Sequence, residues 1–233
     1  MNIKKTIMTS VLAMMTVFFF MACDNDDSNS AGEDDLSMDI SATKVADSST
    51  GSTVTTYNYT CLDLSVGELV TDQASNGWDV AFTGATRIAT NSGDSATNFG
   101  SSGQGGTAFT GSTDFNTDTD VSSVTFETDY NITTSGHGTS TEPTNVISFP
   151  GYDTGDGSTG NPYEDANYGA DQYYTTDGTM PPVYTPNNNV YVIKYGDGSG
   201  YAKFQVVAVE YSSETSGNVK TTTYYFRVRF QEL

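Results

Sequence analysis

Residues 190–211, VYVIKYGDGSGYAKFQVVAVEY, set one apolar run against another across a glycine-rich turn. The first run is apolar at odd and even positions alike, as a strand buried on both faces would be. Gly196, Gly198 and Gly200 supply the turn, where a positive φ costs only glycine little. The second run returns, SSETSGN (212–218) turns again, and a last strand is expected over 219–230. In that strand Tyr224, Phe226, Val228 and Phe230 fall on one face, and Tyr225, Arg227 and Arg229 on the other. Together the three segments read as an antiparallel meander closing the chain.

Working back from the meander, β-branched and aromatic residues alternate over 53–64, 78–83 with 86–90, and 121–127, with Gly, Asn, Asp and Pro between the runs. No sustained helical period follows residue 36. Trp78, Val80 and Phe82 alternate onto one face as expected core, and Cys61 in YNYTCLDL reads as a small buried residue on a strand face. The fold class is all-β: a single antiparallel, sandwich-like domain over residues 46–233. Between about 91 and 188 the chain turns to Gly, Ser, Thr, Asn and Asp. Tyr152, Tyr163, Tyr168, Tyr173, Tyr174 and Tyr184 argue against disorder there, because disordered segments are poor in aromatics. Long Tyr- and Gly-rich loops on a β-scaffold read as a binding surface.

The N-terminus has a different character. Lys4 and Lys5 precede TIMTSVLAMMTVFFFMA (6–22), an apolar run of signal-peptide length that is short for a membrane span. Cys23 follows directly after Ala22. That pattern predicts a bacterial lipoprotein: a signal peptide over 1–22, cleavage before Cys23, and acylation of its thiol and new amino group. CDNDDSNSAGEDD (23–35) has nothing to bury, and residues 23–45 read as the lipidated cysteine and an acidic flexible tether. With Cys23 lipidated, Cys61 has no partner for an internal disulfide.

Of nine Lys and Arg residues, Lys4 and Lys5 lie in the leader, which leaves seven cations against 29 acids. Nonspecific binding to nucleic acid or to anionic lipid needs the opposite balance, so contact with the membrane is expected through the lipid anchor only. The Asp/Gly run DTGDGSTGN (153–161) misses the register of a calcium loop and lacks its twelfth-position Glu. No Ser-His-Asp pattern, P-loop or dinucleotide fingerprint is present. The chain is therefore not expected to be an enzyme.

The segment NGWDVAFTGATRIATNSGDSA (76–96), taken with 190–211, resembles the HmuY family of haem-binding lipoproteins. The residues that carry the resemblance are Trp78, Asp79, Ala81 and Phe82; Thr90, Asn91 and Gly93; Tyr191, Val192, Ile193 and Lys194; Asp197 and Gly198; and Tyr201 and Lys203. The resemblance implies an all-β fold in which hairpin-like fingers grip haem, with axial ligands from their loops. It also implies haem capture for iron acquisition, and delivery to a TonB-dependent receptor in the outer membrane of a Gram-negative bacterium. The lipoprotein would face either the cell surface or the periplasm.

Haem iron takes axial ligands from His, Met, Cys or Tyr. His137, in TSGHGTSTEP (134–143), is the single histidine, so a two-histidine site within one chain is excluded. Five of the seven methionines lie in the leader, and Met38 adjoins the tether, which leaves Met180 in DGTMPPVY (177–184). Each has a plain alternative, His137 as an incidental loop residue and Met180 as a plug for a surface hollow. Given the resemblance, His137 and Met180 form the candidate iron-ligand pair. Tyr173, Tyr174 and Tyr184 are candidate walls for the porphyrin or an alternative anionic ligand. Arg87, Lys194 and Lys203 could meet haem propionates, although their place in expected strands favours a scaffold role. A reading from a different class is a lipid-anchored β-sandwich that binds glycan or protein through its Tyr/Asn/Gly loops, without haem.

Overall fold

The computed structural model describes residues 36–83, 87–135, 139–144, 172–176 and 183–233. Its first strands are β1 (Leu36–Asp47), β2 (Val54–Tyr57), β3 (Tyr59–Asp63), β4 (Glu68–Val70), β5 (Val80–Thr83) and β6 (Ile88–Thr90). A short helix, α1 (Gly93–Phe99), and β7 (Gly106–Phe109) follow. Two hairpins come next: β8 (Tyr130–Ser135) with β9 (Thr139–Thr144), and β10 (Tyr174–Thr176) with β11 (Tyr184–Pro186). The expected meander closes the chain as β12 (Val190–Lys194), β13 (Tyr201–Ser216) and β14 (Val219–Glu232).

These strands form a six-stranded sheet in the order β2-β1-β14-β13-β12-β7 and a four-stranded sheet in the order β4-β3-β5-β6. All named pairings are antiparallel, so the all-β class expected from the sequence is present. Apolar side chains from both sheets meet in one core. Ile40 comes from β1, Val80 and Phe82 from β5, Tyr191 and Ile193 from β12, Phe204 from β13, and Phe226, Val228 and Phe230 from β14. Complete burial of such side chains stabilises the fold by about 1.5–3 kcal/mol each.

The alternation expected in the last strand holds, with Phe226, Val228 and Phe230 buried and Tyr225 and Arg227 exposed. In β13 the inward positions are Ala202, Phe204 and Val206, then Val209. A register shift between Val206 and Ala208 inserts one residue and changes the parity. Tyr211 is thereby brought opposite Tyr224, on the core side of the sheet.

Several expectations are corrected. The strand expected over 121–127 is instead a 3-10 turn at Val121–Ser123 followed by an isolated bridge, Glu127 to Thr107. The Asp120 carboxylate accepts the Ser122 N–H, drawing that donor away from any sheet. Trp78 does not share a face with Val80 and Phe82. It packs with Cys61, Ala81 and Ala89 on the other side of the four-stranded sheet, because strand alternation begins only at Val80. The turn expected over 212–218 shrinks to Gly217 and Asn218, with Gly217 at φ 59°. β1 occupies Leu36–Asp47, so the sheet begins inside the stretch read as tether, and Met38 packs against the core. The helix α1 was not expected. Its two turns are too short to show a period, and Gly100 ends it in the left-handed conformation at φ 77°.

Candidate functional site

Two buried acids fix the scaffold on which the hairpins stand. Asp79 is buried. Its carboxylate accepts the Leu64 N–H at 2.7 Å and the Gly196 N–H at 2.8 Å, which ties the β3–β4 turn to the β12–β13 turn. Burial pushes its pKa up to about 7, against the downward pull of the two backbone donors. Beside it, the Asn91 amide donates to the Ser75 and Trp78 carbonyls, while its oxygen accepts from Ser101. Gly196 passes so close that an added Cβ would sit 2.3 Å from the Trp78 carbonyl oxygen.

Asp129, the residue before β8, is the second acid. It is 2% exposed and accepts from the Thr90 N–H and hydroxyl, the Ser95 hydroxyl and, at 3.4 Å, the Ser92 hydroxyl. Its own N–H donates to Ser92 Oγ, and its carbonyl accepts the Asp94 N–H. At Gly93, φ is +48° and a Cβ would lie 2.0 Å from the Asp129 carbonyl oxygen, so the position admits glycine alone. Trp78, Asp79, Thr90, Asn91 and Gly93 are thus scaffold residues: Asn91 braces the Asp79 side, while Thr90 and Gly93 meet Asp129 at the root of the β8–β9 hairpin. That hairpin also contacts α1 and β6.

The β10–β11 hairpin is rooted by a separate set of bonds. The Asn187 and Asn189 amides both donate to the Gln172 carbonyl, and the Asn187 N–H donates to the Tyr173 carbonyl. Tyr173 is buried in the main core, its ring 6.4 Å from that of Phe226 and 4.6 Å from that of Tyr174. Nearer the connection of the hairpin, Tyr184 stands edge-on to Tyr174 at 5.2 Å and to Tyr211 at 5.8 Å. Tyr211 and Tyr224 lie 5.6 Å apart across β13 and β14. The result is a cluster of phenols carried by a hairpin on one side and a sheet on the other. Burial, then the neighbouring Tyr224, raises the Tyr184 pKa, which disfavours the phenolate an anionic iron ligand would require.

His137 and Met180 both lie outside the described residues. What the structure establishes is their frame. Ser135 pairs with Thr139, so His137 is in the three-residue connection of β8–β9, and Thr176 pairs with Tyr184, so Met180 is in the connection of β10–β11. Tyr173 and Tyr174 are brought together. Of the expected propionate partners, Lys203 is buried, donates to the Phe115 carbonyl at 3.0 Å and lies over the Phe115 ring, a scaffold role. Lys194 ends β12, and Arg87 precedes β6. Cys61 is buried in β3 with its thiol pushed up to about 12, as expected of an inert core residue. Sequence reasoning did not single out Tyr211 and Tyr224, which the strand register brings into the cluster, or Lys44 and Tyr57, which it places in the next row. No group of acids, His or Cys suited to a metal ion occurs among the described residues.

The architecture is that of an all-β protein whose hairpins stand on two antiparallel sheets. The chain belongs to the HmuY family, whose sequence pattern matches residues 55–224. Two solved structures match the chain. One, from Bacteroides fragilis, is described as a candidate lipoprotein; it is 16% identical with a TM-score of 0.36, over 79% of this chain and 88% of that one. The other, from Bacteroides vulgatus, is described as a candidate HmuY-like heme binding protein; it is 17% identical with a TM-score of 0.35, over 81% of this chain and 90% of that one. A search of curated proteins finds no match.

Proposed function

We propose that the mature chain is a lipoprotein, anchored through Cys23 in the outer membrane, that binds haem non-covalently and passes it to a TonB-dependent receptor. The observation that carries the reading is that a member of the HmuY family has its single histidine and its one methionine of the 46–233 domain in the connections of two separate hairpins. The residues fit the group. Haem needs flat apolar contact and axial donors, and the second hairpin is lined by Tyr174 and Tyr184. His137 and Met180 would hold the iron, and bound haem would supply the iron chemistry. The protein's own part is to orient the macrocycle and exclude water from it. His/Met ligation would set a higher reduction potential than two histidines.

Titrating haemin into residues 24–233 tests the reading through the Soret band. A spectrum identical to that of free haemin overturns it and leaves glycan or protein binding through the Tyr/Asn/Gly loops. With binding established, His137→Ala and Met180→Ala should each shift the band. If neither does, the ligand pair is wrong.

A further inference from the structure

Beyond Tyr211 and Tyr224 the six-stranded sheet continues for several residues, as β2, β1, β14 and β13 alone. Register fixes which side chains share a face there. Tyr211 stands opposite Tyr224, and Tyr224 opposite Ala42. In the next inward row Ser213 stands opposite Thr222, Thr222 opposite Lys44, and Lys44 opposite Tyr57. One row further are Thr215, Lys220, Ala46 and Thr55. Two contacts confirm the facing: Ser213 Oγ and Thr222 Oγ1 are 2.9 Å apart, and Lys44 Nζ lies 5.6 Å from the centre of the Tyr57 ring.

The four acids of β1 and β13 all take the opposite parity. Asp39 and Asp47 in β1, and Glu210 and Glu214 in β13, point to the outer face, where Asp39 pairs with Arg227 at 2.7 Å. In a chain with 29 acids and seven mature cations, an inward face holding Lys44 and Lys220 and no acid is a marked segregation of charge. Neither lysine forms an ion pair with a described residue. The face also adjoins the phenol cluster. The β10–β11 hairpin runs from Tyr173 over Phe226 to Tyr184 over Tyr211 and Tyr224, in the direction of these two rows.

From this arrangement we infer that Lys44 and Lys220 are the carboxylate-binding pair of a site for a flat aromatic dicarboxylate, whose ring system rests on Tyr57, Tyr211 and Tyr224. The inference rests on the haem reading, in which the two carboxylates are the haem propionates, and it gives those groups to different lysines from the ones the sequence suggested. Tyrosines supply apolar contact at small entropic cost, while two ammonium groups on adjacent rows fix how the carboxylate edge is turned. The hydroxyl pair of Thr222, next to Lys44, and Ser213, on the neighbouring strand, adds a donor beside them.

Haemin, haemin dimethyl ester and iron-free protoporphyrin IX are titrated into the wild type, Lys44→Gln/Lys220→Gln and Lys194→Gln. The last removes one lysine charge at the far end of the sheet, roughly 40 Å away along the strands. Each lysine on the face should contribute about fivefold in haemin affinity, the scale of one partly exposed ion pair. The double variant should therefore bind haemin about 25-fold more weakly while binding the ester as the wild type does, and Lys194→Gln should bind both normally. Equal haemin affinity in the double variant and the wild type overturns the inference and leaves the haem reading standing. If the wild type binds no haemin, the haem reading falls, and protoporphyrin IX decides: binding weakened by the double substitution keeps the site, and no binding removes it.

Discussion

Thr90 and Asp129 are joined twice, the backbone N–H of Thr90 donating to Oδ2 at 2.8 Å and its hydroxyl to Oδ1 at 2.5 Å. One residue ends β6 and the other precedes β8, so this pair of hydrogen bonds fastens the β8–β9 hairpin to the sandwich. Replacing Asp129 by Ala strands at least the Thr90 N–H and the Ser95 hydroxyl in a site without solvent. A cost of about 2–4 kcal/mol is expected from such orphaned donors. Urea unfolding should report it, and hydrogen exchange should show the loss of protection concentrated in β8 and β9. Even loss across the molecule would contradict the role of Asp129 as the hairpin's root.

Gly93 and Gly217 separate two reasons for keeping glycine. Both have positive φ, but a Cβ at Gly93 meets the Asp129 carbonyl, whereas at Gly217 it meets open space. Gly217→Ala should cost about 1 kcal/mol, the backbone term alone. Gly93→Ala should cost well beyond that, because the Asp129 backbone must move. Chemical denaturation of the two variants checks the ordering, and similar losses would mean that the close approach at Gly93 relaxes easily.

The closing meander was legible because its apolar runs are long and its turns carry glycine where φ is positive. Its phase was not. KFQVVAVEY reads as one unbroken strand, and only the register shift after Val206 reveals that Tyr211 faces inward with Tyr224. β1 was hidden for another reason: in LSMDISATKVAD only Ile40 and Ala42 are buried, and the strand is held by ladders to β14 and β2 rather than by an apolar stripe. That concealed Lys44 as well. Met180 could be reached by excluding the leader methionines, since that step needs no register. The phenol cluster could not, because Tyr174, Tyr184, Tyr211 and Tyr224 come from four separate strands.

Cys61 should be chemically silent in the folded protein. It is 1% exposed between Trp78 and Ala81, and burial lifts its thiol to about 12, so almost no thiolate forms near neutral pH. With the soluble domain lacking Cys23, a disulfide reagent at pH 8 should react only as fast as the domain opens, and at once in urea. Rapid labelling under native conditions would show that the β3 face is accessible.

Asp79 gives a pH dependence of defined sign. Its folded pKa of about 7 lies above the ordinary Asp value of 3.8, so between those values the folded state holds a proton that the unfolded chain has released. The stability it contributes is complete below about 3.8 and is lost as pH rises through about 7. Asp79→Asn cannot titrate, and its amide leaves one of the Leu64 and Gly196 donors without an acceptor. The variant should therefore be less stable than the wild type at pH 4, with the gap narrowing toward pH 7.5. Comparing the two proteins removes the background from the many exposed acids, which both share. A gap that stayed constant over that range would mean that Asp79 is ionised in the fold throughout, with its two backbone donors outweighing its burial.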